Sequence, residues 1–269
     1  MSSITAYIIT FNESANIRDC LNSVHWCDEI IVVDAFSGDD TVEIASSLGA
    51  RVISNKWPGF PEQKQLALSH VKTEWALSID ADERVSQALR AAIEQLMIKD
   101  DKQVFGYKVP RLNYALGRFW PHETSQRARK RLSRAAHSRW KGALVHEHLE
   151  VDGSVKRLTA PLIHLHNRSI EKQAETRNRY SSLKAQEKFV AGERAGILDI
   201  VFRPFARFLR VYFYMGSIRM GTAGFVVSIE EAVYVFHKYA KLWEKTIKPQ
   251  AADSEDFPME KPGSAMPGN

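Results

Sequence analysis

The sequence predicts an α/β fold with a mainly parallel, Rossmann-like mixed sheet, followed by a helical extension at the C-terminus. Over the first hundred residues, short apolar runs alternate with capped, amphipathic segments. This alternation is typical of a parallel sheet covered by helices on both faces. From about residue 104 the segments become more strand-like, and beyond residue 196 they become aromatic and basic. A chain of 269 residues is long enough for one large domain with an extension.

The elements are predicted from local composition in chain order. Four strands are expected at short apolar or β-branched runs, at Ile4–Thr10, Glu29–Val33, Arg51–Ser54 and Glu74–Ile79. Four helices are expected to alternate with them, at Asn16–Ser23, Asp40–Leu48, Pro61–His70 and Ser86–Ile98. Later elements are expected as strands at Phe105–Arg111 and Arg139–Val151, an ordered loop at Asn113–Thr124 and a polar helix at Ser169–Glu193.

Local signals justify the helix ends. Asp40 opens one helix and Gly49 closes it. Ser86 is a suitable N-cap for the next helix, in which Leu89 and Ile93 recur at helical spacing.

We predict three regions along the chain. Residues 1–195 form the α/β domain, residues 196–248 form the aromatic and basic extension, and residues 249–269 form a disordered tail rich in proline. Within the extension, Arg219 interrupts the most apolar stretch, which disfavours a membrane-spanning helix. An amphipathic helix lying on the inner membrane surface is favoured, and packing on the first domain or on a second subunit is the alternative.

Composition and charge narrow the class of protein. The formal net charge of +5 suits an anionic substrate or an anionic membrane surface and gives no indication of nucleic-acid binding. Cys20 and Cys27 are too few for a disulfide scaffold, so we expect reduced thiols in a cytoplasmic protein. The N-terminus has no basic segment followed by an apolar run, so no signal peptide is expected.

The most informative motif is a pair of aspartates, Asp80 and Asp82, directly after a predicted strand. Carboxylates two residues apart at a strand end point to the same side of the chain. Together they can hold one hard divalent cation that shares a phosphate as a further ligand. The strand end is also where open α/β sheets place their ligands.

Other polar clusters are predicted at the same sheet edge. Thr10, Asn12 and Glu13 follow the first strand, Asp34 follows the second, and Lys64 lies on the third helix. A nucleotide lying across this edge would place its base near the first two clusters and its diphosphate near the metal. Asp34 could then accept hydrogen bonds from a base imide or a ribose hydroxyl, and Lys64 could meet a phosphate.

In this order, the motifs resemble those of family 2 glycosyltransferases, which are inverting enzymes of the GT-A fold that use nucleotide-sugar donors. The resemblance rests on four segments, at residues 8–13, 26–34, 37–41 and 80–83. Residues 140–147 and 238–242 further resemble the lipopolysaccharide inner-core β-glucosyltransferase subgroup, which transfers glucose to a heptose. The resemblance spans roughly residues 4–245.

The resemblance implies roles in donor binding. Thr10, Asn12 and Glu13 match the first nucleotide-binding loop, and Asp34 matches the aspartate that contacts uracil. Lys64 lies where family members place a basic residue near the nucleotide.

The resemblance also implies a metal site and a catalytic base. Asp80 and Asp82 match the D-x-D pair, with Asp82 the more direct ligand of Mg²⁺ or Mn²⁺. Glu147 matches the acidic residue that serves in catalysis. In inverting transfer, one carboxylate removes the proton of the acceptor hydroxyl as that hydroxyl attacks the anomeric carbon.

Three residues are candidates for acceptor binding. His146 lies beside Glu147, where it could shape the acceptor pocket. Trp140 could stack on a sugar ring or pack in the core. Arg131 belongs to a basic cluster between residues 127 and 134, which is either a solvated face or a site for acidic groups of the acceptor.

We therefore expect a metal-dependent hexosyltransferase that uses UDP-glucose and acts at the cytosolic face of the inner membrane on a lipopolysaccharide core. The alternatives are transfer to a polyprenyl phosphate or another surface polysaccharide, and a non-catalytic module that binds sugar nucleotides. A phosphatase based on the D-x-D pair is disfavoured, because its first aspartate normally follows the first strand. Here that position is occupied by residues 10–13, which contain no aspartate.

Overall fold

The computed structural model describes residues 2–120, 128–142, 147–166 and 170–247. The chain divides into two compact units, one of Met1–Asn167 with Met215–Gly224 and one of Arg168–Tyr214 with Phe225–Asn269. The change of unit at residue 167 differs from the domain boundary predicted near residue 195. The reason is that the long polar helix contributes Ala185 to an apolar cluster with Val235 and Leu242 of the C-terminal helix. The predicted tail lies outside the described residues.

The described part of the chain contains thirteen strands and seven α-helices. The strands are β1 Ile4–Thr10, β2 Glu29–Asp34, β3 Arg51–Ser54, β4 Trp75–Asp80, β5 Glu83–Val85, β6 Val104–Val109, β7 Arg111–Ala115, β8 Arg118–Phe119, β9 Arg129–Arg134, β10 Ser138–Lys141, β11 His148–Val151, β12 Ser154–Arg157 and β13 Leu162–His166. The helices are α1 Ser14–Asn22, α2 Thr41–Ser47, α3 Phe60–Ser69, α4 Gln87–Lys99, α5 Ile170–Val190, α6 Ile197–Leu209 and α7 Thr222–Ile247.

A seven-stranded sheet, in the order β12-β6-β9-β4-β1-β2-β3, forms the centre of the first unit. Strands β4, β1, β2 and β3 run parallel, whereas β9 is antiparallel to both β4 and β6. The register pairs Thr10 with Asp34 and Ile9 with Asp80. The predicted donor-site residues at the ends of β1, β2 and β4 therefore meet at one edge of the sheet.

Both faces of the parallel strands are buried, as their apolar composition predicts. Along β1, Ile8 packs into one apolar cluster and Tyr7 into another. Along β2, Val32 and Ile31 divide between the same two clusters. Alternate side chains of a strand point to opposite faces, so these runs hold the sheet between two layers.

The first half of the fold is confirmed almost element by element. The strands Ile4–Thr10 and Arg51–Ser54 have the predicted ends, and the hydroxyl of Ser86 accepts the backbone N–H of Leu89 as the predicted N-cap. The second half differs. The predicted strand Arg139–Val151 is two antiparallel strands, β10 and β11, and the predicted loop Asn113–Thr124 contains strand residues of β7 and β8.

The second unit is helical in its described part. Helix α5 and the part of α7 from Phe225 onward share an apolar cluster, to which Ala195 also belongs. A π-helical turn, Arg210–Tyr214, follows α6. Within the residues that the structure describes, no helix is both long enough and apolar enough to cross a membrane.

Candidate active site

The end of β2 is organised around the carboxylate of Asp34. This residue has no exposed surface, and its Oδ1 accepts the hydroxyls of Thr10 at 2.9 Å and Ser37 at 2.6 Å. Its Oδ2 accepts the backbone N–H of Ser37 at 2.8 Å. The structure thus brings Thr10 and Asp34 together as predicted. The contact of Asp34 with a uracil stays a prediction, and in this arrangement the carboxylate fixes the loop after β2.

The loop after β1 is tied to the loop after β2. The backbone N–H of Asn12 donates to Ser37 Oγ at 2.8 Å. The side-chain Oδ1 of Asn12 accepts the backbone N–H of Gly38, also at 2.8 Å. Asn12 has a φ of 55°, a left-handed conformation that asparagine tolerates better than most residues. The N–H of Glu13 donates to the hydroxyl of Thr41 at 2.8 Å. The two predicted nucleotide loops therefore form one hydrogen-bonded surface.

Asp80, the first aspartate of the D-x-D pair, is held between two cations. Its Oδ1 lies 3.0 Å from Lys64 Nζ and its Oδ2 lies 2.9 Å from Arg131 Nη2. Burial would raise the pKa of Asp80, but Arg131 and Lys64 hold it well below its usual range. Asp80 is therefore an ionised group whose two oxygens are already engaged.

Asp82, the second aspartate, faces a histidine. Its Oδ2 lies 3.2 Å from Nε2 of His164, and Nδ1 of His164 lies 3.0 Å from Oδ1 of Asn113. The bond to Asn113 orients the ring, as outer partners of metal-binding histidines commonly do.

A divalent metal fits this donor set only with further ligands from a substrate. Among the described residues, no three acidic, histidine or cysteine side chains converge to form a complete metal site. Asp82 and His164 offer one oxygen and one nitrogen, and both oxygens of Asp80 contact cations. Mg²⁺ and Mn²⁺ often bind through few protein groups with phosphates completing the shell. The arrangement fits Asp82, rather than Asp80, as the direct ligand.

Lys64 joins the D-x-D pair to Glu147. Its Nζ lies 3.0 Å from Asp80 Oδ1 and 3.5 Å from Glu147 Oε1, and only 6% of its side chain is exposed. The ammonium also lies 4.8 Å from the centre of the Trp140 ring, whose Nε1–H donates to Tyr7 Oη at 2.9 Å. Residues predicted from three distant parts of the sequence therefore meet within one ion-pair network.

The predicted acceptor contacts of Arg131 and Trp140 are not supported by their placement. Both side chains are buried, Arg131 beneath the D-x-D pair and Trp140 in an apolar cluster of the first unit. Strand β9 carries Arg131 and Arg134 into the sheet and leaves Arg129 exposed, so the described part of the basic cluster, residues 128–134, is neither a purely solvated face nor an open binding patch. His146 lies outside the described residues.

Sequence reasoning missed Glu83, a buried residue that holds Arg131 and the backbone of Asp80 in place. Its carboxylate is fully buried, lies 2.7 Å from Arg131 Nη2 and accepts the backbone N–H of Asp80 at 3.0 Å. Burial raises the pKa of Glu83. The positive charge of Arg131 lowers this pKa, whereas the negative charges of Asp80 and Asp82 raise it. Its position next to the D-x-D pair was the available signal, but nothing local predicts its burial.

Arg131 should therefore be a major stabilising residue of the first unit. We expect Arg131→Met to lower the free energy of unfolding by about 3 kcal/mol, because it leaves Glu83 and Asp80 without their shared cation. Urea denaturation at pH 7 measures the change. The matched control is Arg139→Met, which removes an arginine that pairs with Glu150 at the surface and should cost at most about 1 kcal/mol. Equal effects of the two substitutions would contradict the structural role of Arg131.

A mainly parallel sheet with this polar edge, continued by an antiparallel part that carries an acidic residue to the same site, defines a glycosyltransferase of the GT-A fold. The model of the family described as glycosyl transferase family 2 matches residues 5–148. The chain belongs to this family and is a glycosyltransferase.

Relatives are similar over nearly the whole chain. The lipopolysaccharide core biosynthesis glycosyltransferase LpsC of Rhizobium meliloti (strain 1021) is 33% identical over 250 residues, covering 90% of this chain and 92% of that protein. The uncharacterized glycosyltransferase RP128 of Rickettsia prowazekii (strain Madrid E) is 31% identical over 268 residues, covering 95% and 92%. Among solved structures, S. aureus TarS 1–349 is 15% identical with a TM-score of 0.47 and 91% coverage of both chains.

Proposed function

We propose that this protein is an inverting, metal-dependent glycosyltransferase that transfers glucose from UDP-glucose to the inner core of a lipopolysaccharide. The observation that carries the proposal is the bridge by Lys64 between Asp80 of the D-x-D pair and Glu147. This bridge supports a donor site whose diphosphate end lies close to the base. Similarity to LpsC over nine-tenths of the chain supports a core acceptor.

The residues of this chain divide the chemistry between them. Glu147, with 16% of its side chain exposed, accepts the proton of the acceptor hydroxyl on one of its Oε atoms. At the same time the hydroxyl oxygen of the acceptor bonds to the anomeric carbon. The bond from that carbon to the UDP oxygen breaks on the opposite face, so the configuration inverts. Lys64 supplies positive charge close to the leaving diphosphate.

A bound Mg²⁺ or Mn²⁺, held by Asp82 with His164 beside it, would offset the charge that the diphosphate gains. Asp80 would support this site indirectly, because its ion pairs with Lys64 and Arg131 orient the turn that carries Asp82. We further propose that the transfer takes place at the cytosolic face of the inner membrane, where a lipid-linked acceptor would be found.

The acceptor class is tested by a radiolabelled transfer assay. Purified protein is incubated with UDP-[¹⁴C]glucose, Mn²⁺ and either a truncated core lipid or a polyprenyl phosphate, and the products are separated by thin-layer chromatography. We expect label in the core lipid only. Label in the polyprenyl phosphate would identify that lipid, instead of the core, as the acceptor. UDP-glucose binding without transfer to any acceptor would favour a non-catalytic module.

A further inference from the structure

Helix α6 of the second unit exposes a broad apolar face. Six of its residues have exposed fractions between 38% and 69%, and these are Ile197, Leu198, Val201, Phe202, Phe205 and Leu209. At 100° per residue they fall within an arc of about 140° on the helix. A face of this width normally lies against a protein core.

The opposite, polar side of α6 is the one that docks to the rest of the second unit. Arg203 pairs with Asp199 at 2.5 Å, and its guanidinium lies 4.8 Å from the centre of the Tyr239 ring of α7. Arg207 Nε donates to Glu231 of α7 at 3.0 Å. The arginines are thus engaged within the unit. The polarity of the helix is reversed relative to an ordinary surface helix, and its apolar side is left uncovered by the residues that the structure describes.

The apolar surface continues onto α7. A row of residues spaced three, four or seven apart has exposed fractions between 41% and 48%, and these are Phe225, Ile229, Val233, Phe236, Trp243 and Ile247. The Phe225 ring lies 5.8 Å from that of Phe208 and 5.9 Å from that of Tyr212, which links the row to the end of α6. An apolar surface of two adjoining helices exceeds the scattered exposure normal for a protein.

The two segments that carry this surface have a modest net positive charge. Residues 194–214 contain four arginines and one acidic residue, residues 225–247 contain three lysines and three glutamates, and Arg210 is exposed at the end of α6. Lys238 of α7 lies 4.7 Å from the centre of the Tyr239 ring and pairs with no carboxylate among the described residues. Its burial and the nearby cations Lys188 and Arg203 lower its pKa. A second copy of the chain would bring the same net positive charge to a contact, whereas an anionic lipid surface would neutralise it.

We propose that the exposed apolar face of α6 and the adjoining row on α7 insert into the outer part of an anionic bilayer. Arg210, which is exposed at the end of α6, would meet the lipid phosphates, and Phe202 and Phe205 would lie at the acyl boundary. This inference rests on the proposed function, because a lipid-linked acceptor is reached at such a surface. The inference adds to the proposed function the residues that would contact the lipid.

Sedimentation with lipid vesicles tests the inference on the full-length chain. We expect binding to phosphatidylcholine vesicles that contain about one third phosphatidylglycerol, and at least about tenfold weaker binding to pure phosphatidylcholine. The double variant Phe202→Ser/Phe205→Ser should bind the anionic vesicles at least about tenfold more weakly. The matched control is Ile98→Ser on α4, which removes a residue of 56% exposure from the first unit and should bind like the wild type.

Two further measurements, light scattering and titration with UDP-glucose, decide how the vesicle result is interpreted. Light scattering in the absence of lipid reports the oligomeric state, and a wild-type dimer that binds no vesicles but dissociates in the double variant would overturn the inference in favour of a second copy.

Titration with UDP-glucose separates the two proposals. Donor binding without vesicle binding refutes only the membrane contact, and vesicle binding without donor binding refutes only UDP-glucose as the proposed donor. Loss of donor binding in the double variant would indicate misfolding, and the single variant Arg210→Glu then tests the contact through its loss of preference for anionic vesicles.

Discussion

Replacing Glu147 by glutamine should lower kcat by about 10³-fold while leaving the affinity for UDP-glucose nearly unchanged. The amide keeps the shape of the side chain but cannot take the proton of the acceptor hydroxyl. Glu147 lies 3.5 Å from Lys64 Nζ, so the substitution also removes one of two carboxylates from that ammonium. The second, Asp80, remains at 3.0 Å and should keep Lys64 in place.

The measurement combines initial rates of transfer with calorimetric titration of the donor. The matched control is Glu150→Gln on the neighbouring strand β11, where the carboxylate pairs with Arg139 and Lys141 at the surface. We expect this variant to retain the wild-type rate. Near-full turnover by Glu147→Gln would eliminate Glu147 as the base, whereas lost turnover together with lost donor binding would instead assign it to the donor site.

Asp82→Asn should abolish the metal-dependent part of UDP-glucose binding and lower turnover by about 100-fold or more. The amide removes a negative oxygen from the position next to His164 Nε2, where the metal is proposed to bind. Titration with UDP-glucose, with and without Mn²⁺, measures the change. In the wild type Mn²⁺ should strengthen binding, and in the variant the two titrations should coincide.

Asp152→Asn in the turn between β11 and β12 provides the matched control, because this aspartate is exposed and lies outside the site. It should retain the response to Mn²⁺. A full response in Asp82→Asn would refute Asp82 as the metal ligand. Metal-independent binding by the wild type would refute the metal dependence itself.

Local patterns predict the parallel half of this fold well because its strands are short β-branched or apolar runs with polar ends. They fail at β9, which contains three arginines and one lysine. Arg131 and Arg134 can enter the sheet there only because carboxylates distant in sequence receive them. Glu83 contacts Arg131 across 48 residues, and Asp100 contacts Arg134 across 34. No local pattern in the sequence contains those pairings.

The same limit applies to the site. Lys64, Asp80 and Glu147 were each predicted, and the structure joins them. The pairing of His164 with Asp82 was missed, since it depends on β13 running antiparallel to β5. Helix α6 shows a related limit, because its periodicity reveals an apolar face but cannot show that the polar face is the one that docks.

The proposed membrane contact of α6 would change which concentration of acceptor governs the rate of transfer. An enzyme held at a lipid surface meets a lipid-linked sugar by diffusion in two dimensions, and the relevant quantity is the mole fraction of acceptor in the membrane. Tethering raises the effective concentration of the second partner without any new contact at the site. With the proposed membrane contact in place, a binding site for the core sugars could therefore be weak, because the helix face would already hold the enzyme at the surface that carries its substrate.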